Sequence, residues 1–283
     1  VPTTPFDELI TAYKPDIVFS TDVQASTDVR MIHAARRAGV PVIGMVRSWD
    51  NLTAKGLIPV VPDALAVNNK IIASEAERYQ GISASLIRIV GIPHYDRYHG
   101  PAHDRASFER IIGLRPGERY VLYAPTGDRY LGANDLDARV IAELAASVPA
   151  GMRILVRLPP TDTVQLPEDL GPSVLVHRPG VGFGEGRARF KASELSSEDD
   201  ALLRSTLAYA ELVVAGPSTI VIDAAVYDRP IIAIGFDASP DRPYDGGIRR
   251  YWDYDHFRAA VASGGMRVVW DAAALGEWMK RYL

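Results

Sequence analysis

Along this chain, short runs rich in Val and Ile alternate with longer stretches whose apolar positions recur at helical spacing. FDELITAYK predicts a helix and PDIVFST the strand after it. TDVRMIHAARRAG and VPVIGMV repeat the pair, with Gly39 closing the helix just before Val40-Pro41. DALAVN, KIIASEAERYQ and SLIRIVG continue as strand, helix and strand. Short strands separated by helices are the signature of βαβ units. Strands that are apolar throughout, rather than alternating, belong to parallel sheets covered on both faces.

The segment Gly91 to Ser107, GIPHYDRYHGPAHDRAS, breaks this rhythm and reads as an interdomain linker. Alternation then resumes. RYVLYAPT is a strand, DLDARVIAELAASV a helix, and MRILVRLPP and SVLVHRPG are strands. SSEDDALLRSTLAYA is a helix whose acidic first turn suits the helix dipole. ELVVAG, PSTIVIDAAVYD and RPIIAIGFD follow as strand, helix and strand, and the tail reads helix, strand, helix. The polar, Gly-rich stretch Gly180 to Glu194 is expected to be a mobile loop. The predicted class is α/β. Two Rossmann-like, doubly wound parallel sheets occupy residues 1–95 and 96–283, the first with about half the usual units.

Composition narrows the function. The chain has 283 residues and a net charge of -4, so no global basic field attracts nucleic acid, which is not expected as a partner. It has no cysteine, which rules out a disulfide framework, a thiolate nucleophile and a cysteine-ligated metal. No apolar run approaches the ~18 residues of a spanning helix, and no signal peptide is recognisable. Residue 1 is Val, VPTTPFDELITAYKPD reads as mid-domain sequence, and LGEWMKRYL stops inside an amphipathic helix. Both natural ends are expected to lie beyond the sequence given.

Open α/β sheets bind ligands outside the carboxyl ends of their strands. That selects the loops Ser20–Asp22, Arg47–Gly56, Ala124–Arg129, Arg157–Pro160 and Ala215–Thr219. The last is the most informative. Gly216 and Pro217 turn the chain, and Ser218 and Thr219 place two hydroxyls beside the free N–H groups of a helix start, an arrangement that receives phosphate. Asp223, on the same helix face, sits within the otherwise apolar TIVIDAAV, where a carboxylate must be paired or functional; it could bind a vicinal diol such as ribose. The plain alternative is an N-cap at Ser218 with an incidental acid.

At these residues the chain resembles the GT-B glycosyltransferase superfamily. VGIPHYD at the domain junction, VLYAPT opening the second half and LAYAELVVAGPSTIVIDAAVYDRPIIAIG carry the resemblance, which covers nearly the whole chain. VLYAPT, RLPP and RRYWDYDHFRAAVASGGMRVV look closest to the CDP-glycerol glycerophosphotransferase and surface-polysaccharide branch, although Pro159-Pro160 replaces that branch's frequent His-Pro. The resemblance implies two domains facing a cleft, a nucleotide-activated donor, UDP- or CDP-linked, as substrate, and neither metal nor further cofactor. It implies Asp223 on the ribose, Ser218 and Thr219 on the diphosphate, and Arg157 as a diphosphate clamp. It also implies a glycan or lipid-linked acceptor and a cytoplasmic location, with the inner face of a membrane as an option.

Such a transferase needs a base on the acceptor hydroxyl. Asp22 and Asp50 are the candidates, each equally readable as a turn or cap residue. Thr126 and Arg129 follow the strand of APTGDR and can meet donor phosphates, Arg129 alternatively serving a surface ion pair. His256, among Arg249, Arg250 and Tyr251, is assigned to the donor side. Lys55 offers an ammonium and Trp49 a stacking ring, against solvated and packing roles. His94, His99 and His103 have no helix to align them, because Pro93, Gly100 and Pro101 intervene, so a metal site there is not expected. The function expected is transfer of a sugar or polyol phosphate from a nucleotide-activated donor. The alternatives are a UDP-N-acetylglucosamine 2-epimerase-like enzyme, although the Gly-Gly and paired acids of that family are missing near Ser218, and a catalytically silent nucleotide-sugar-binding subunit.

Overall fold

The computed structural model describes residues 4–132, 135–183 and 193–283, with the Tyr130 side chain excepted. The chain divides into two compact units. The first comprises Val1–Asp96 and Tyr254–His256, the second Arg97–Asp253 and Phe257–Leu283.

In the first unit four strands form a parallel sheet in chain order: β1 (Val18–Ser20), β2 (Val42–Met45), β3 (Ala64–Val67) and β4 (Ile87–Ile89). The helices α1 (Pro5–Tyr13), α2 (Ser26–Arg37) and α4 (Lys70–Gln80) lie where the apolar period predicts them, and a single turn, α3 (Asn51–Ala54), follows β2. Local chemistry sets the ends of α4. Asn69 accepts from the N–H groups of Ile71 and Ile72, and Gly81 takes the left-handed conformation at the other end, with φ 65°. Two clusters fill this unit, one around Val23, Val46, Leu65 and Ile72, the other around Val18, Ile32 and Val42.

The second unit carries six parallel strands in the order β12-β11-β10-β5-β6-β7. These are β5 (Tyr120–Ala124), β6 (Arg153–Arg157), β7 (Val174–His177), β10 (Leu212–Ala215), β11 (Ile231–Ile234) and β12 (Arg267–Val269). Read outward from β5, the order is that of a doubly wound sheet, with its switch point between β5 and β10, where the winding reverses. Every residue of β5, β10 and β11 is buried, as a central parallel sheet covered on both faces requires. Of the expected mobile loop, residues 184–192 lie outside the described residues. Its described ends pair as a short antiparallel ladder, β8 (Val181–Gly182) with β9 (Ser193–Glu194).

The predicted linker is more structured than its composition implies. It holds a 3-10 turn, Pro93–Arg97, and the start of a helix at Arg105, and Tyr98 is buried against the Tyr227 ring, 5.5 Å between centroids. The N–H groups of Ala102 and His103 donate to the Ser205 hydroxyl at 3.1 and 2.9 Å, and His103 Nε2 lies 3.1 Å from the Glu198 carboxylate. These tertiary partners replace the apolar period that the segment lacks.

Candidate functional site at the strand ends

At the switch point of the second unit, the loops after β5 and β10 touch. Thr126 follows β5 and Gly216 follows β10, and a Cβ built on Gly216 would collide with Oγ1 of Thr126. That hydroxyl is buried and has no hydrogen-bond partner among the described residues. The loop behind it is held by Asp137 of helix α7 (Leu136–Ser147). The Asp137 carboxylate accepts from the Tyr123 hydroxyl at 2.6 Å, the Thr126 N–H at 2.9 Å and the Gly127 N–H at 3.1 Å. Burial raises its pKa, against the three hydrogen bonds, which favour the ionised form. On the far side, Gly127 lies against Asp162, whose carboxylate accepts the Arg129 N–H at 3.0 Å; a Cβ there would come within 2.5 Å of Oδ2. Nothing in the sequence pattern marked Asp137 or Asp162. Each acts through a backbone that only the fold brings near.

The helix after β10, α9 (Ile220–Val226), starts three residues later than the predicted PSTIVIDAAVYD. Its N-cap is Thr219, in helical conformation and with no side-chain cap bond, so the N-cap at Ser218 is not formed. Ser218 is half-buried and Thr219 exposed. Asp223 is half-buried on this helix and lies within electrostatic reach of Arg157, Tyr98 and Tyr227. Burial raises the Tyr98 phenol above its ordinary range, and Asp223 and Asp200 add to the shift.

Arg157, the last residue of β6, is 8% exposed. Its guanidinium lies 3.2 Å from Nδ1 of His177 and 3.5 Å from the Asp199 carbonyl. Burial lowers its pKa to about 10, against the supporting charge of Asp199 and Asp223. His177 is held down to about 4 by burial and by Arg157. The fold thus collects Arg157 and Asp223 in one electrostatic group within the second unit. Arg129 enters through its backbone N–H, in the loop that Asp162 ties down.

The first unit gathers a different set. Asp22, 5% exposed, accepts the N–H groups of Gln24 at 2.8 Å and Ala25 at 3.1 Å, and Arg47 Nε lies 3.4 Å away. Burial alone would raise its pKa; the two backbone donors and Arg47 outweigh that and lower it, which weakens Asp22 as a base. Asp50 is partly exposed and stands 3.5 Å from Lys55 Nζ. His256 groups with this unit rather than with the donor residues to which the sequence assigned it. Its Nδ1 lies 3.0 Å from the Thr53 hydroxyl, and its ring meets Trp49 edge-on at 4.9 Å. Burial lowers its pKa, opposed by the charges of Asp50 and Asp255. The loop Arg47–Gly56 and His256 form one arrangement, joined by residues two hundred positions apart in the chain.

Among the described residues, no group of three or more His, Cys, Asp or Glu is placed to hold a metal, and no helix is long and apolar enough to cross a membrane.

No protein-family model matches the sequence, and a comparison with curated proteins gives no match. Solved structures do share the fold. UDP-GlcNAc 2-epimerase from Methanocaldococcus jannaschii is 13% identical, with a TM-score of 0.60 over 98% of this chain and 71% of that one. The enzyme of the same name from Neisseria meningitidis, bound to UDP-GlcNAc, is 11% identical, with a TM-score of 0.62 over 97% and 70%. The glycotransferase of kitacinnamycin is 13% identical, with a TM-score of 0.54 over 98% and 70%. At these identities the likeness establishes the fold, an α/β architecture of parallel sheets like that of GT-B epimerases and transferases.

Proposed function

We propose that this chain acts on a nucleotide-activated sugar bound by the second unit, and transfers the sugar, or a polyol phosphate, to a glycan or lipid-linked acceptor. The observation that carries the reading is the switch point. There two loops meet at a glycine whose lack of a Cβ lets the Thr126 side chain pack against it, and the Thr126 hydroxyl has no partner among the described residues. Ligands of doubly wound sheets lie at this place. A phosphate oxygen would complete the Thr126 hydroxyl, and Ser218 and Thr219 stand on the adjoining turn. Asp223, within electrostatic reach of Arg157, is the proposed partner of the ribose hydroxyls.

In sugar transfer, the acceptor oxygen bonds to the anomeric carbon as the bond from that carbon to the phosphate oxygen breaks. The nucleoside diphosphate leaves with the electron pair, and the acceptor proton goes to a base. Asp50 is the better of the two proposed bases, because Asp22 is committed to backbone donors. Polyol phosphate transfer rests on the VLYAPT and RLPP motifs. No metal or cofactor beyond the donor is proposed. We place the activity in surface polysaccharide or glycoconjugate assembly in the cytoplasm.

The fold likeness to two 2-epimerases favours a second reading, epimerisation of a free sugar nucleotide. A thermal-shift series with UDP, CDP, GDP and CMP tests the shared premise; no shift with any nucleotide would remove it. Labelled UDP-GlcNAc then separates the readings. Appearance of the 2-epimer without release of UDP supports the second, and acceptor-dependent release of nucleoside diphosphate the first.

A further inference from the structure

Arg157 and His177 are the last residues of β6 and β7, and they stand opposite each other in the parallel register. They lie at the end of the sheet where ligands of doubly wound folds bind. Arg157 is a buried cation, 8% exposed, and among the described residues no carboxylate forms an ion pair with it. The acids around it are committed elsewhere or act from further off. The Asp199 carboxylate accepts the N–H groups of Gly180 at 2.9 Å and Ser196 at 2.8 Å. Asp200 faces Arg97 at 3.5 Å and Arg204 at 3.4 Å, and Asp223 reaches Arg157 only through its field.

The guanidinium has two hydrogen-bond partners among the described residues, His177 Nδ1 at 3.2 Å and the Asp199 carbonyl at 3.5 Å. A guanidinium only donates, so Nδ1 is the acceptor and the ring proton sits on Nε2. Burial first, then the Arg157 charge, hold the His177 pKa down to about 4 against the pull of Asp199, and the ring is neutral at pH 7. His177 is also tied to the loop that follows Arg157. Its carbonyl accepts the Leu158 N–H at 2.9 Å, and its neighbour Arg178 donates to the carbonyls of Pro159 and Asp162 at 3.0 Å each. A buried cation is held at least cost beside a carboxylate. A neutral ring in that place fixes the geometry and leaves the charge uncompensated, which is useful only towards a ligand that brings negative charge.

We propose that His177 is the positioning residue of Arg157: a neutral acceptor that orients the guanidinium without consuming its charge, which is kept for the phosphates of the bound nucleotide. The proposal rests on the reading above for the identity of the anion. The direction of the hydrogen bond and the missing counter-ion belong to the second unit itself.

The test is calorimetric titration of the full chain with UDP and with pyrophosphate, on the wild type, His177→Asn and His177→Glu. Asn can set a neutral oxygen where Nδ1 stands, so binding within about threefold of the wild type is expected. Glu pairs with the guanidinium and takes its charge, so both ligands should bind about tenfold or more weakly. The thermal midpoint of His177→Glu should nevertheless be unchanged or raised, because the buried cation gains a counter-ion. A residue that serves only packing would not separate Asn from Glu, nor move stability and affinity in opposite directions. Equal losses in the two variants overturn the proposal, and so does a His177→Glu protein that binds as wild type. Should His177→Glu fail to fold, the ring nitrogens of the wild type decide by 15N NMR at neutral pH. A proton on Nε2 alone supports the assignment, and a proton on Nδ1 overturns it. Wild-type protein that binds pyrophosphate but no nucleotide sinks only the nucleotide reading. UDP binding that is indifferent to His177→Glu sinks only this proposal, and absence of binding to either ligand overturns both.

Discussion

Gly216 packs directly on the side chain of Thr126, whose hydroxyl takes the space a Cβ would need where the loops that end β10 and β5 meet. Gly216→Ala should therefore push the two loops apart, with a loss of about 1–3 kcal/mol in stability and weaker binding of UDP. Thr126→Ala in the same protein removes the colliding oxygen and should restore most of the stability. Denaturant unfolding of the four proteins of this double-mutant cycle reads the coupling directly. Additive effects would mean that the loops do not meet in solution.

Asp223 lies within the electrostatic group of Arg157 and Tyr98 on a helix that is otherwise apolar. Its proposed partner is a ribose diol, so Asp223→Ala should weaken UDP binding by roughly 1–3 kcal/mol. Calorimetric titration measures this, with a ribose-free phosphate such as pyrophosphate as the control. Equal losses for both ligands would assign Asp223 to the fold of the site and not to the sugar.

Asp137 is expected to matter more for stability than any acid proposed in binding. It is 3% exposed and accepts from Tyr123, Thr126 and Gly127 together. Asp137→Ala leaves a buried phenol and two backbone N–H groups unpaired, a loss on the order of 3 kcal/mol or more. Tyr123→Phe removes one of the three donors and should cost about 1 kcal/mol. Urea midpoints of the two variants give the ratio; equal midpoints would contradict the arrangement.

Glu75 supplies a pH dependence. It is 9% exposed on α4 with Oε2 unpaired among the described residues, and burial first, then the charge of Asp255, raise its pKa to about 7. Tyr79 donates to Asp255 at 3.4 Å, and Lys55, on the turn packed against α4, is engaged by Asp50 and Asn51. The folded protein holds the Glu75 proton more tightly than the unfolded chain does. Its contribution is favourable below about pH 4.5, falls as pH rises, and is fully lost above about pH 7. Glu75→Gln should flatten the fall between pH 5 and 8 and stabilise the protein at pH 8 by on the order of 1 kcal/mol. Buried His256, its pKa lowered, acts with the opposite sign, losing stability as pH falls below its unfolded value near 6.5. Thermal midpoints of the wild type, Glu75→Gln and His256→Asn across this range separate the two.

Much of the architecture was legible because βαβ order is written in local period and turn chemistry. Helix α4 was readable as KIIASEAERYQ because its apolar stripe, Asn cap and terminal Gly all lie within a dozen residues. The strand-end rule then named the loops of Thr126, Arg157 and Ser218 without a coordinate. What it missed shares one property. Asp137 and Asp162 act on backbone groups of distant loops, and His177 declares itself only by its contact with Arg157.

His256 shows the same boundary from the other side. Its neighbours in sequence, Arg249, Arg250 and Tyr251, belong to the second unit, whereas the structure pairs its ring with Trp49 and Thr53 of the first. The sequence by itself determined the alternation of strands and helices, the parallel sheets and the loops where ligands belong, because these depend on periods and caps spanning a few residues. Only the tertiary structure decided which acids are committed to backbone donors, which side chain holds Arg157 and which unit holds His256. Burial and partnership are set by chain segments brought together from far apart, and no local period encodes them.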